Sequence, residues 1–185
     1  MRKSRQEAAE TRQRIVESAS VRFRENGIDA TALADLMAQA GLSHGGFYKH
    51  FASKEQVVLE SLELASNALR DGMSTALEGK GGINAAVAAY LSAEHRDNPG
   101  GGCPFVALSG ELARGSEEVR HAATEGIERL IAMFASEIDA PPAAAKKRAL
   151  LMVSTMIGAL SLARMVDDAT LSDTILREAR KALAQ

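Results

Sequence analysis

Two sets of residues in this chain have the types and spacing to do chemistry. The first is Ser43, His44, Gly45, Gly46, Tyr48, Lys49 and His50, small, aromatic and cationic groups suited to a nucleic-acid backbone. Gly45-Gly46 would cost a helix interior about 1 kcal/mol each relative to alanine. Near a helix start, their missing side chains instead let the backbone approach DNA. Lys49 is the candidate by charge for a base edge or a phosphate. The second set is Cys103, between Gly100-Gly101-Gly102 and Pro104. Proline suits the first helical position, so Cys103 is expected to cap a helix whose positive end lowers the thiol pKa. A glycine run would also give access, and the thiol would then sense oxidants or electrophiles. The alternative is a small buried hydrophobe.

No catalytic or metal chemistry is legible. His95 and His121, with Glu94, Glu111 or Cys103, lack His-x-x-x-His or Cys-x-x-Cys spacing. No Ser-His-Asp or paired-carboxylate arrangement appears, and the glycine run lacks the Lys-Ser/Thr of a phosphate loop. Neither cofactor nor metal nor enzymatic activity is expected.

The elements that must position the first set follow from periodicity. Ile15, Ala19 and Phe23 mark the buried stripe of a first helix ending at Asn26-Gly27. Leu33, Leu36, Met37 and Ala40 repeat at helical spacing, and Gly41 can take the left-handed conformation that ends a helix. Ser43 can cap the next helix, in which Phe47 and Phe51 form a buried pair while Tyr48 and Lys49 fall on other faces. That is a helix-turn-helix with its reading helix near 44–50, and Thr31 is placed to cap its first helix. Ser53 and Gln56 form a capping box that opens a long helix with Val58, Leu62, Ala65, Leu69 and Met73 on one stripe.

This segment, from Thr11 to Val58, resembles the DNA-binding region of the TetR/AcrR family of transcriptional regulators. The resemblance is carried by Phe23-x-x-x-Gly27, by AGLSHGGFYKHF, and by Lys54-Glu55. It implies phosphate contacts from Thr31, Tyr48, His50 and Lys54, while His44 stands where members vary and could read bases. It also implies a homodimer formed by the last two long helices, and a pendulum motion of the 53–78 helix when an effector binds.

Further along, helices are expected near 83–95, 104–114, 117–137, 142–166 and 172–184, the last capped by Ser172. The 142–166 helix is apolar nearly all round in its second half, so it must be covered on more than one side. Ser154, Gly158 and Ser161 would allow close approach of a second copy, with Ile157, Leu162 and Leu176 beside them. Tyr90, Cys103, Phe105, Leu108, Leu112, Ile131, Phe134, Met152 and Met156 are expected in the interior, some lining an effector cavity. With few charges among them, the effector is expected to be small and apolar or aromatic.

Composition fits these readings. Aromatics are only 4% of 185 residues and Ala and aliphatics dominate, which suits an all-α protein. The net charge is −2, but residues 1–54 hold nine Lys/Arg against six Asp/Glu, and residues 55–185 hold thirteen against eighteen. A basic head on an acidic body matches DNA binding by the head. A single cysteine excludes an internal disulfide. No signal peptide is read at the start, and the uncharged run Ala149–Ala163 falls short of the ~20 residues a membrane span needs. The expectation is a cytoplasmic, ligand-responsive repressor with a DNA-binding domain at 1–52 and a ligand-binding and dimerisation domain at 53–185. It would bind a (pseudo)palindromic operator as a dimer. The alternatives are a regulator switched through Cys103, and a small-molecule-binding or enzymatic body with a vestigial head.

Overall fold

The computed structural model describes residues 5–39, 41 and 44–184, in which helices account for all regular structure. The order is α1 (Arg5–Asn26), α2 (Leu33–Gln39), a 3-10 helix (His44–Lys49), α3 (Lys54–Glu78), α4 (Gly82–Tyr90), α5 (Ala93–Asp97), α6 (Pro104–Ala107), α7 (Ser109–Arg114), α8 (Glu117–Ser136), α9 (Pro142–Met165) and α10 (Ala169–Leu183). The expected stripe of α1 is buried, and Gly27 ends the helix at φ +90°, its N–H on the Phe23 carbonyl at 2.8 Å. Only glycine holds that conformation without strain. Gly41 plays the same part after α2, at φ +71°.

Helix α3 is the spine. The Ser53 hydroxyl accepts the Gln56 N–H, and the Gln56 side chain accepts the Ala52 N–H at 2.8 Å, a capping box displaced by one residue. At 25 residues α3 extends about 37 Å and packs on α1, α4 and α8. Serines let α1 and α3 approach closely: Ser20 donates to the Ser61 carbonyl at 3.3 Å, and Ser61 donates to the Val16 carbonyl at 3.4 Å. Helices α8, α9 and α10 complete the body bundle.

Three expectations are corrected. The 83–95 helix breaks at Leu91, because Ser92 takes the His95 N–H at 3.1 Å and starts α5. The 104–114 helix breaks at Leu108, which turns with its side chain buried. Ser172 does not cap α10: Asp168 does, accepting the Thr170 and Leu171 N–H groups at 2.8 and 3.0 Å. Ser172 is buried instead, donating to the Ala163 carbonyl at 2.7 Å and pinning α10 to α9.

By length and composition α9 could cross a membrane, because the helix begins at Pro142 and adds a full turn and more to the 149–163 run. Its register shows another use. Eight of its residues, Met152, Val153, Met156 and Leu160 among them, are buried in the body bundle, while Lys146, Lys147 and Arg148 lie in its first half.

Candidate nucleic-acid interface and body core

Phe47 and Phe51 anchor the reading segment from beneath. Both are buried, stacked at 5.5 Å between centroids, and Tyr48 meets Phe47 edge-on at 5.3 Å. The segment is a 3-10 helix rather than the expected α-helix. Two adjacent glycines supply little α-helical propensity, and at six residues the segment is long for a 3-10 helix. On its outer side Tyr48 is 69% exposed, Lys49 is exposed, and nothing lies within 4 Å of where a Gly45 side chain would begin. A polar, partly glycine surface is therefore presented outward. His44 opens the segment, Gly46 and His50 are half-buried, and Ser43 lies outside the described residues.

Thr31 is not the cap of α2. It is buried, and its hydroxyl donates to the Gly27 carbonyl at 2.6 Å, closing the α1–α2 turn. Lys54 also faces that turn, its Nζ donating to the Ile28 carbonyl at 2.5 Å. The body holds the turn from the other side. Glu111 of α7 accepts the Asp29 N–H at 2.9 Å, and Arg24 of α1 donates to the Gly102 carbonyl at 2.8 Å. A crevice of about 260 Å³ lies here, floored by Ile28, Val58 and Val119. Head and body are thus joined by hydrogen bonds as well as by α3.

In the head, Arg12 of α1 makes a bidentate ion pair with Glu60 of α3 and donates through Nε to the His50 carbonyl at 3.2 Å. Its guanidinium carbon lies 4.5 Å from the centre of the Phe51 ring. Sequence reasoning missed Arg12 and Glu60, because residues 48 positions apart carry no local pattern.

The nine expected pocket residues are all core side chains: Tyr90, Cys103, Phe105, Leu108, Leu112, Ile131, Phe134, Met152 and Met156 are buried. They interlock rather than surround a large void. Leu108 borders a space of about 10 Å³, barely one water, and Ile131 borders an open groove of about 620 Å³ between the end of α8 and the start of α9. Gly126 shows how tight the packing is: a Cβ there would come within 2.6 Å of Phe105.

Cys103 does cap α6, with Pro104 following at the first helical position. The expected access and acidity are both overturned. Its residue is fully buried, and burial raises the thiol pKa more than the neighbouring Tyr90 hydroxyl and the Val106 and Phe105 backbone lower it. His95 explains the enclosure. Its Nε2 accepts the Cys103 N–H at 2.9 Å, so the ring proton sits on Nδ1 and is donated to the Tyr90 carbonyl at 2.6 Å. This neutral histidine welds α4 to the start of α6, and burial lowers its pKa. Among the described residues no cluster of three or more His, Cys, Asp or Glu side chains forms a metal-sized group.

The face of α9 turned away from the core carries Leu151, Ser154, Gly158, Leu162 and Met165, one stripe at helical spacing. Met165 is 76% exposed and Leu151 59%. Ile157 and Ser161 flank it, half-buried, and Gly158 has open space above it. Leu176 does not belong to this face: it is buried, turned inward from α10.

This architecture has relatives. Residues 15–61 match the description "Bacterial regulatory proteins, tetR family", and residues 79–179, more than half the chain, match "Tetracyclin repressor-like, C-terminal domain". The chain belongs to the TetR family of transcriptional regulators. Within the family it is 32% identical over 187 residues to the uncharacterized HTH-type transcriptional regulator Rv0196 of Mycobacterium tuberculosis, covering 93% of each chain. It is 38% identical over 66 residues to the HTH-type transcriptional regulator AcrR of Shigella flexneri, covering 36% of this chain and 31% of that one. A crystal structure of a TetR transcriptional regulator from Chloroflexus aurantiacus superposes with a TM-score of 0.78 at 27% identity, covering 96% of both chains. The shorter match is confined to about a third of the chain, as expected if family members share a reading head and diverge in the body.

Proposed function

We propose that this chain is a repressor that binds operator DNA as a homodimer and is released by a small apolar or aromatic effector. The observation that carries the reading is the outward face of Gly45, Tyr48 and Lys49, seated on buried Phe47 and Phe51 in the basic part of the chain. Tyr48, Lys49 and His50 are assigned to phosphate and base edges, with His44 and the glycine backbone in the groove and Ser43 at its entry. Thr31 acts through the turn it closes, and Lys54 keeps further donors for a phosphate while one holds Ile28. Residues 1–52 form the DNA-binding unit and 53–185 the ligand and dimer unit, working in the cytoplasm where DNA is found.

The second copy is assigned to the α9 stripe. Two heads could then reach half-sites ~34–36 Å apart on one face of a duplex. The effector is assigned to the core around Tyr90, Phe105, Leu108 and Phe134, which must open to admit it. It therefore favours a body conformation other than the tightly packed one, and α3 with the Arg24 and Glu111 ties carries that change to the head. Switching through Cys103 is not favoured, since the thiol is enclosed and its pKa is raised.

Enrichment of duplexes from a random pool by the purified protein tests the reading. An inverted repeat supports it, and failure to enrich any sequence at low salt removes DNA binding from the function.

A further inference from the structure

We infer that Arg12 is a positioning residue for DNA reading: it ties the reading segment to the α3 lever and does not contact DNA phosphate. The inference rests on the head being the DNA-binding part, as proposed above. Arg12 meets three elements at once. From α1 its guanidinium forks onto both carboxylate oxygens of Glu60, in the first third of α3. Its Nε donates to the carbonyl of His50, the residue immediately after the reading helix. Its plane covers Phe51, which stacks on Phe47 beneath Tyr48.

The donor inventory supports a structural assignment. Arginine has five N–H groups in a fixed fork, and here three of its nitrogens are committed to carboxylate and carbonyl within the protein. Glu60 is held in turn by Gln56, whose amide donates to it at 3.2 Å, and Gln56 also closes the α3 cap through Ala52. Ala52 follows Phe51, so cap, carboxylate and guanidinium form one chain of contacts around the end of the reading segment. The pair is only part-buried, with side chains 35% and 27% exposed, so solvent screens it and its value lies in geometry more than in stability. A shift of α3 moves Glu60, Glu60 moves Arg12, and Arg12 moves the His50 carbonyl and the Phe51 ring. The pendulum thereby changes the tilt of the reading segment as well as the spacing between the two heads.

The decisive variant is Glu60→Gln, beside Arg12→Lys, the double variant of these two, and Arg12→Ala. Each is measured for affinity to a duplex enriched by the wild-type protein, at several salt concentrations, with thermal melting of the free protein as a control. Removing a carboxylate from a DNA-binding head should tighten binding by simple electrostatics. A positioning role requires the reverse: about tenfold weaker binding for Glu60→Gln, a similar loss for Arg12→Lys, and no further loss in the double variant. The log–log salt slope stays at the wild-type value, because no phosphate contact is removed. Tighter binding by Glu60→Gln at an unchanged melting temperature overturns the inference. So does a slope for Arg12→Ala shallower by about one, the mark of a lost phosphate contact. If Arg12→Lys does not fold, Glu60→Gln decides alone. If the wild-type protein enriches no DNA, the proposed function fails before this inference is reached.

Discussion

The outward face of the reading segment and the outward face of α9 are both uncovered in a single chain, and they are uncovered in opposite ways. The first offers a phenol, an ammonium and bare backbone at Gly45, on a head with excess positive charge. The second offers Leu151, Leu162 and Met165 around Ser154 and Gly158, with no charge within the stripe. A polar cationic surface is stable in water and gains from an anion, whereas an apolar stripe gains by leaving water. That contrast is the ground on which we propose a nucleic-acid backbone for the first face and a second copy of the chain for the second.

The largest effect expected from this contrast lies on the apolar side. Gly158→Arg has open space in the single chain, so the fold tolerates it, but an unpaired arginine in a packed dimer is uncompensated. Sedimentation should give a folded monomer, and mobility shifts should show operator binding abolished. A dimer that survives the substitution moves the interface elsewhere.

Smaller effects are expected on the polar side. Lys49→Ala should weaken operator binding by about tenfold and reduce the salt slope by about one. Tyr48→Ala should weaken binding too, while both proteins melt as the wild type does. Binding and slope unchanged in both variants would remove the reading segment from the interface.

The body gives a third effect, in pH. His95 is neutral and half-buried, with its pKa lowered by burial, so the unfolded chain binds a proton that the native one refuses. Stability should be full above the unfolded histidine pKa of ~6.5 and fall as pH drops below it. Thermal melting between pH 7.5 and 5 should show this, and His95→Gln should flatten the histidine part of the curve. A melting temperature that rises on acidification contradicts the assignment.

The smallest effect is a rate. Cys103 should react with a thiol probe more slowly than a model peptide thiol at neutral pH, and readily only in denaturant. Fast labelling of the native protein would reopen the thiol-switch reading.

Legibility followed locality. The helix-turn-helix was readable because its signals lie within a few residues: the Phe47/Phe51 pair, Gly27 and Gly41 at positive φ, and the Ser53 cap. The breaks at Leu91 and Leu108 were not: one turns on Ser92 taking the His95 N–H, a short cap that the helical reading ran through, and the other on how Leu108 packs inward. Thr31 and Ser172 show a second limit, competition for the hydroxyl. Each has a capping residue's chemistry, but a carbonyl brought close by the fold takes the hydroxyl first. Cys103 failed on magnitudes: the helix end and glycine run were identified, but desolvation outweighs the local hydrogen bonds. Leu176 failed on phase, because α10 turns that side of its surface toward its own bundle.

The most direct measurement is the mass of the complex between the protein and an enriched duplex, by sedimentation, together with the symmetry of the enriched sequence. Two chains per duplex on an inverted repeat with half-sites about one helical turn apart, or a multiple of it, is the result expected of a dimer joined through α9. One chain on an asymmetric site, at concentrations where the free protein is monomeric, would contradict it.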